Sequence, residues 1–539
     1  MRTTGSDIRA PQASPADQLI RALTERAVYG HPTTTVTVLQ THISWVILTG
    51  PYAYKIKKPV NFGFVDFSTL AKRQHFCQEE LRLNRRLAPQ LYVAVVPISG
   101  TPEHPRLHDA SAPIEYAVQM RQFPQEHLLS QLVAKGQLQV AHIDGLIQEV
   151  SAFHGRIAVA ERQSPFGTPE AVYQPVQDNF QHLFDAVDDP LRQAHTRELE
   201  AWCQRSFRAQ YATFVARKRD GFVRECHGDL HLGNMVLLDD AVVIFDGLEF
   251  NDHLRWIDVA SDVAFLAMDL ADRGRSDLAH RFVNGYVEQT GDYGLLALLP
   301  FYSAYRAMVR AKVAGLRLGQ GDLSVSEATQ ARETFGSYLD LATQYTRPVQ
   351  PQLLITHGVS GSGKTYGTQP LVDTAGAIRL RADVERKRLF GLAALERSAD
   401  HRALELYTDD ATQRTYAHLL QQAERVVRAG YTAIVDATFL RQAQREAFRH
   451  LAAQLGVPFT ILDFCARLET SQNRIVQRLQ RADDASEADL TVLQRQLATR
   501  EPLTVAEQPY GLAIDTDAPH ALDRLLEALY TTGARAVPC

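Results

Sequence analysis

Eight consecutive residues carry the strongest chemical signal in the chain. Gly358, Val359, Ser360, Gly361, Ser362, Gly363, Lys364 and Thr365 fit the pattern G-x-x-x-x-G-K-[ST] and follow the apolar run Leu353 to Thr356. Glycines let successive backbone N–H groups turn inward on phosphate oxygens, and a helix N-terminus behind them adds its positive end. In that arrangement Lys364 reaches the outer phosphates and Thr365 holds Mg²⁺. A random match in a chain of this composition is expected only about a few times in a hundred. ATP and Mg²⁺ are therefore the ligands these residues imply, with Gly358, Ser360, Gly361, Ser362, Gly363, Lys364 and Thr365 as binding residues.

Further residues have the chemistry to complete such a site. Asp383 and Arg386 follow the second predicted strand of this half, 377–381; a carboxylate there could take a proton from an acceptor hydroxyl while the arginine holds a phosphate. A helix-capping Asp beside a surface Arg is an equally simple reading. Ala433-Ile434-Val435 ends in Asp436, where a Mg²⁺-side carboxylate belongs. Arg474, Arg478 and Arg481 share one helical face before the acidic stretch Asp483 to Asp489, either as a lid over phosphates, with Arg478 on the nucleotide, or as a solvated basic face. Pro370 should kink or shorten the helix after the loop.

A second constellation lies at His227-Gly228-Asp229-Leu230-His231-Leu232-Gly233-Asn234, followed by the apolar strand Val242 to Phe245 and Asp246. Phosphoryl transfer needs one carboxylate to deprotonate the acceptor, and an amide with a second carboxylate to hold Mg²⁺. A loop followed by a returning strand would deliver Asp229, Asn234 and Asp246 together. A polar turn with a side-chain cap would account for any one of them alone.

With those residues in hand, two resemblances stand out. The C-terminal half resembles small-molecule and polynucleotide kinases of the phosphate-loop class, including gluconate kinase and zeta-toxin-like enzymes, which implies Asp383 as the acceptor base. The N-terminal half resembles the aminoglycoside phosphotransferase and choline kinase branch of the protein-kinase-like fold. That likeness implies Asp229 as base, Asn234 and Asp246 as metal ligands, His227 as loop support and Glu249 as an added carboxylate at the metal. Ala53-Tyr54-Lys55 matches the strand lysine of that branch, with Glu80 its partner on the next helix and Glu79 the rival; a charged edge strand is the alternative for Lys55 to Lys58. A glycine-rich G-x-G-x-x-G loop is missing, so the turn Gln40 to Ser44 would cover the nucleotide. The order of the two halves, with Ala53 to Pro59 and Asp258 to Asp262, resembles a bacterial two-domain family that joins such a phosphotransferase domain to a phosphate-loop ATPase or kinase domain.

The elements needed to position these residues are legible from pattern. Strands are predicted at 353–357, 377–381, 432–436, 459–465 and 511–515, with helices at 401–429 and 441–455, an alternation that builds a parallel sheet. Val36 to Leu39, Ser44 to Thr49 and Tyr52 to Lys57 read as strands, the last two joined by Gly50-Pro51, and Thr69 to Leu87 as a helix. From Gln125 the chain is mainly helical, interrupted near residues 223 to 250. Two prolines in Tyr345 to Pro351 mark a boundary after the amphipathic stretch Ser326 to Thr343. The expected domains are a disordered lead-in over 1–17, a bilobal α+β protein-kinase-like domain over 18–345, a linker over 346–351, and an α/β P-loop domain with a parallel sheet over 352–539.

Composition narrows the setting. Apolar residues make up 45% and charged residues 22% of 539, and no apolar run approaches the ~18 residues of a membrane span. Five scattered cysteines suggest reduced thiols and a cytoplasmic protein. A net charge of −5 argues against a nucleic-acid partner and leaves small hydroxyl-bearing molecules as the expected acceptors. Only nine lysines occur, three of them at 55, 57 and 58. The expected activity is an ATP-dependent phosphotransferase with two ATP·Mg²⁺ sites. Alternatives are a regulatory protein in which one half senses nucleotide, a drug-resistance enzyme, and a polynucleotide or sugar kinase with an inactive N-terminal half.

Overall fold

Tyr52, Tyr54 and Ile56 alternate with Ala53, Lys55 and Lys57, so one face of this strand is apolar and the other carries two ammonium groups. In the computed structural model, which describes residues 14–63, 65–186, 189–318, 323–396, 406, 408–481 and 484–531, that strand lies inside a sheet. The chain forms two compact units, one from residues up to 138 with 224–257, the other from 139–223 with 258 onward.

The first unit opens with α1 (Pro15–Ala22), capped by the Ser14 hydroxyl, so helix begins inside the stretch read as a disordered lead-in; residues 1–13 lie outside the described residues. Its sheet holds β1 (Thr37–Gln40), β2 (Ser44–Leu48), β3 (Tyr52–Lys57), β4 (Tyr92–Thr101), β5 (His104–Leu107) and β6 (Pro113–Arg121) in the antiparallel order β1-β2-β3-β6-β4-β5. β3 is thus interior, and the charged-edge reading of Lys55 to Lys58 fails because β6 pairs along its other side. Tyr54 and Ile56 join Ile47, Val96 and Ile98 in one core, while Lys55 shares a face with Val118, Cys77 and Tyr92. α2 (Leu70–Asn84), started by the Thr69 hydroxyl, places Cys77 and Glu80 on that second face. After α3 (Leu129–Ala134), the later segment adds the hairpin β7 (Met235–Leu238) and β8 (Ala241–Ile244).

The second unit contains α4 (Val140–Arg156), α5 (Pro169–Asp185), α6 (Pro190–Arg219), α7 (Val259–Asp272), α8 (Ser276–Thr290), α9 (Leu299–Leu318) and α10 (Val325–Gln344). Every residue of α7 from Val259 to Leu270 is buried, so it runs through the helical core. Beyond Pro351 come β9 (Leu353–His357), α11 (Lys364–Ala375), β10 (Ile378–Arg381), α12 (Ala382–Leu389), α13 (Asp409–Arg428), β11 (Ala433–Asp436), α14 (Gln442–Leu455), β12 (Phe459–Cys465), α15 (Leu468–Arg481), α16 (Leu490–Thr499), β13 (Gly511–Asp515) and α17 (Ala521–Thr531). The sheet is parallel in the order β10-β11-β9-β12-β13, and each predicted strand falls within one residue of its observed bounds. Residues 401–405 and 407 of the predicted helix over 401–429 lie outside the described residues. The prolines of 346–351 do not separate the compact units, since the helices before them and the sheet after them belong to one.

β9 is buried along its whole length, and Leu354 packs with Leu371, Ile434, Leu462 and Ile514. Pro370 does not shorten α11, which runs five residues further; its missing N–H would have met the carbonyl of Tyr366, an exposed residue whose carbonyl water can serve. Among the described residues no helix is long and apolar enough to cross a membrane.

One buried ion pair anchors the far side of the sheet. The Arg445 side chain is wholly enclosed and donates to Glu507 at 2.7 and 3.0 Å and to the Phe439 carbonyl at 2.9 Å. Removing it strands a buried carboxylate, so Arg445→Ala should cost about 3–5 kcal/mol. Denaturant unfolding followed by fluorescence should show the midpoint falling accordingly.

Candidate functional sites

Backbone shape sets the C-terminal site. Gly358 and Gly361 take φ of +142° and +81°, and a Cβ would lie 2.5 Å from the Phe464 carbonyl oxygen and 2.4 Å from that of Ser471. Only glycine fits at either position, which keeps the loop folded as a concave cradle. Lys364 opens α11 and turns its Nζ back on the Gly358 and Val359 carbonyls at 3.0 and 2.9 Å. Burial lowers its pKa, offset in part by Asp436 and Asp383. Thr365 Oγ1 donates to Asp436 Oδ2 at 2.6 Å, because β11 lies beside β9 and ends at the same level. The Ser362 hydroxyl is buried with no hydrogen-bond partner among the described residues, a polar atom facing the cradle without an answer.

Asp383 is the second residue of α12, whose cap position is Arg381, so the capping reading of Asp383 does not hold. No described residue donates a hydrogen bond to its carboxylate, and it faces the charge of Lys364. Arg386 follows one turn later on the same helix. The three arginines of α15 diverge. Arg474 reaches the Gly361 carbonyl at 3.3 Å and Thr516 Oγ1 at 2.8 Å; Arg478 holds the Ala488 carbonyl at 2.8 Å and presses on Lys364 electrostatically; Arg481 is exposed. Asp483 lies outside the described residues.

Residues that motif reading misses also shape this site. Gln496 Oε1 accepts from the Ser360 N–H at 2.7 Å, and Arg379 donates to the Thr365 carbonyl at 2.8 Å. Neither belongs to a recognisable pattern. Arg379 does stand in an apolar strand, where a buried cation is a signal that something must pair with it.

The N-terminal site is built inside the first unit. Lys55 Nζ lies 2.5 Å from Asp246 Oδ1 and 2.9 Å from Glu80 Oε1. Lys57, two residues on and so on the same face, pairs with Glu80 at 2.6 Å and with Glu249. Glu249 is therefore buried against Lys57 rather than placed as a metal-side carboxylate. Glu79 turns instead to Arg82 at 2.8 Å. Burial opposes both lysine charges, yet Asp246, Glu80 and Glu249 hold Lys55 well above the ordinary lysine range. Burial likewise works against the Glu80 carboxylate, but the two ammonium groups bring it down from 4.5 to about 2.

The loop is pinned by its own side chains. His227 Nε2 meets the Phe245 carbonyl at 3.0 Å, and the Asp229 N–H lies 3.3 Å from His227 Nδ1. Asn234 Nδ2 donates to Asp229 Oδ2 at 2.9 Å and is 3.5 Å from the Asp246 carbonyl. Asp246 adopts φ +61°, with its N–H on the Tyr92 hydroxyl at 3.1 Å. The backbone thus brings Asp229, Asn234, Asp246 and Lys55 together. Asp229 and Asp246 keep 39% and 38% of their side-chain surface exposed, whereas Glu80 keeps none. The turn at 40–44 is closed by Thr41 N–H on the Ser44 carbonyl at 2.9 Å, with Lys58 on the Thr41 carbonyl at 2.6 Å.

These donor sets fit a hard divalent cation, which takes oxygen ligands. The part-exposed carboxylate of Asp246 with the amide oxygen of the buried Asn234, and the hydroxyl–carboxylate pair Thr365 and Asp436, are the oxygens at hand.

Residues 64–299 match the phosphotransferase enzyme family, and residues 353–503 match an AAA domain. The chain therefore joins an aminoglycoside phosphotransferase-like domain of protein-kinase-like fold to a C-terminal α/β P-loop domain. An uncharacterized protein of Mycobacterium tuberculosis is 29% identical over 492 residues, covering 91% of this chain and 94% of its own. Among solved structures, a sugar kinase of Janibacter sp. HTCC2649 is 22% identical, covers 33% of this chain and 95% of that one, and has a TM-score of 0.26. Plasmodium vivax ethanolamine kinase is 10% identical over 56% of this chain and 81% of that one, with a TM-score of 0.35.

Because Glu80 is held below its unfolded value, its share of stability is complete above pH 4.5 and is lost as pH falls toward 2. Glu80→Gln should cost about 1.5–3 kcal/mol near neutral pH by removing the charged acceptor that both ammonium groups share, each keeping one other carboxylate. Urea midpoints measured from pH 6 to 2 should fall less steeply in the variant than in the parent.

Proposed function

We propose that this protein is an ATP-dependent kinase with two separate ATP·Mg²⁺ sites, each transferring a phosphoryl group to a small hydroxyl-bearing acceptor. The observation that carries the reading is shared by both sites: a buried lysine that can grip phosphate faces a carboxylate still open to an incoming hydroxyl. At the P-loop site these are Lys364 and Asp383; at the other Lys55 pairs with Asp246, and Asn234 links that residue to the part-exposed carboxylate of Asp229.

In the P-loop site, the loop amides of Gly361 and Gly363 and the Lys364 ammonium hold the outer phosphates, while Arg386 and Arg478 neutralise the group in transit. Asp383 accepts the acceptor's proton as the new O–P bond forms and the bond to the ADP oxygen breaks. In the N-terminal site Lys55, oriented by Glu80, takes the phosphates, and Asp229, steadied by Asn234, accepts the proton. Mg²⁺, held by Thr365 and Asp436 or by Asn234 and Asp246, supplies charge neutralisation on the phosphates when bound.

One observation favours a second reading, a nucleotide sensor in the N-terminal half. Lys55 pairs directly with Asp246, the same carboxylate that a metal would need.

A screen of a metabolite pool with γ-labelled ATP separates these. Lys364→Ala should abolish one labelled product and Asp229→Ala a different one, each falling about a hundredfold or more. If Asp229→Ala instead leaves every product and alters only their regulation by nucleotide, the sensor reading takes its place. Retention of all products in both variants would sink the two-kinase proposal.

A further inference from the structure

β10 is an edge of the P-loop sheet, and an edge strand leaves backbone groups to be satisfied. α8, a helix inside the phosphotransferase-family match, meets this edge and satisfies one of them. Asn284 Oδ1 accepts from the Arg379 N–H at 2.7 Å, Glu288 pairs with Arg381 at 3.4 Å, and His280 Nδ1 meets the Asp373 carbonyl at 2.8 Å. These residues recur every fourth position, so a single face of α8 makes all three contacts. Two of these partners reach on toward the nucleotide site. Arg379 donates to the Thr365 carbonyl at 2.8 Å, and Arg381 holds Asp484, beyond α15, at 2.8 Å.

The same helix end grips α12. Gly291 closes α8 at φ +74°, and a Cβ there would lie 2.7 Å from Arg388 Nε. Arg388 donates to the Glu288 carbonyl, at the negative end of α8. Two residues past Gly291, the buried Tyr293 hydroxyl donates to Glu385 Oε1 at 2.8 Å. Glu385 has no exposed surface and also contacts His418 at 3.0 Å and Arg388. Burial, then the charge of Glu385, keeps the Tyr293 phenol protonated and able to donate. Glu385 stands between Asp383 and Arg386 on a helix of only eight residues. A helix that short has little intrinsic stability, so its tethers set its orientation.

We infer that Tyr293, acting through Glu385, is a positioning residue for phosphoryl transfer at the P-loop site: a side chain of the N-terminal domain aligns Asp383 and Arg386 on α12. The inference rests on the proposed role of Asp383 as acceptor base. Tyr293 itself acts on no reacting atom; its hydroxyl fixes the helix that does.

Full-length Tyr293→Phe keeps the buried ring and deletes one hydroxyl. For the product lost in Lys364→Ala, kcat should fall about tenfold, since small misplacement of a catalytic group is costly. The KM for ATP should stay within about twofold, and the product lost in Asp229→Ala should be unchanged. Amide exchange should quicken over 382–389 and not over 353–357. Glu385→Gln should give a similar loss, and the double variant no more than either single one. Unchanged kcat, equal loss of both products, or additive effects would overturn the inference. If Lys364→Ala removes no product, the kinase reading fails on its own account; unchanged exchange over 382–389 in Tyr293→Phe would then overturn the tether as well, and faster exchange would uphold it.

Discussion

A lysine ammonium taken out of water must be answered by carboxylate inside the protein, and both sites are organised around that need. On β3 two such groups lie on one face, two residues apart, with apolar strands on either side. Glu80 meets both, Glu249 meets the inner one, and Asp246 meets the outer one. The division has a chemical consequence. Lys57 is saturated by enclosed acids, whereas Lys55 shares its charge with an acid that remains part-exposed, which is why the proposed phosphate-binding role falls to Lys55.

The P-loop meets the same constraint in another way. Among the described residues Lys364 has only backbone carbonyls within hydrogen-bond reach, and Asp436 and Asp383 face it from a distance. Its charge is incompletely answered, which suits a group whose natural partner is a phosphate brought by the ligand. The glycines matter for the same reason. At Gly358 and Gly361 a side chain would collide with the carbonyls of Phe464 and Ser471, so backbone donors rather than side chains line the cradle. Parallel strand order completes the arrangement by ending β9, β10 and β11 at one edge, where Lys364, Asp383 and Asp436 follow them.

The helical part of the phosphotransferase-family domain is also structural support for the P-loop sheet. Asn284 and Glu288 occupy positions that a further strand would otherwise take along β10. A domain cut at the prolines of 346–351 would expose that edge together with the underside of α12.

Local pattern determined much of this protein. The phosphate loop, the five strands of the parallel sheet, the Gly50-Pro51 hairpin and the 227–234 loop are each encoded within a few neighbouring residues, by glycine freedom, apolar runs and turn chemistry. β4 and β6 have apolar stretches of their own, but their place became defined only by pairing with β3 and with one another. Tertiary structure alone decided that β3 is interior, that Lys57 takes Glu249 away from a metal role, and that Asp383 is not a cap. It also brought Gln496 and Arg379 to the phosphate loop and Tyr293 to Glu385 of α12, at sequence separations where spacing carries no information. Which charges must be neutralised is written in residue types; which residue neutralises each depends on the packing that brings distant segments within reach.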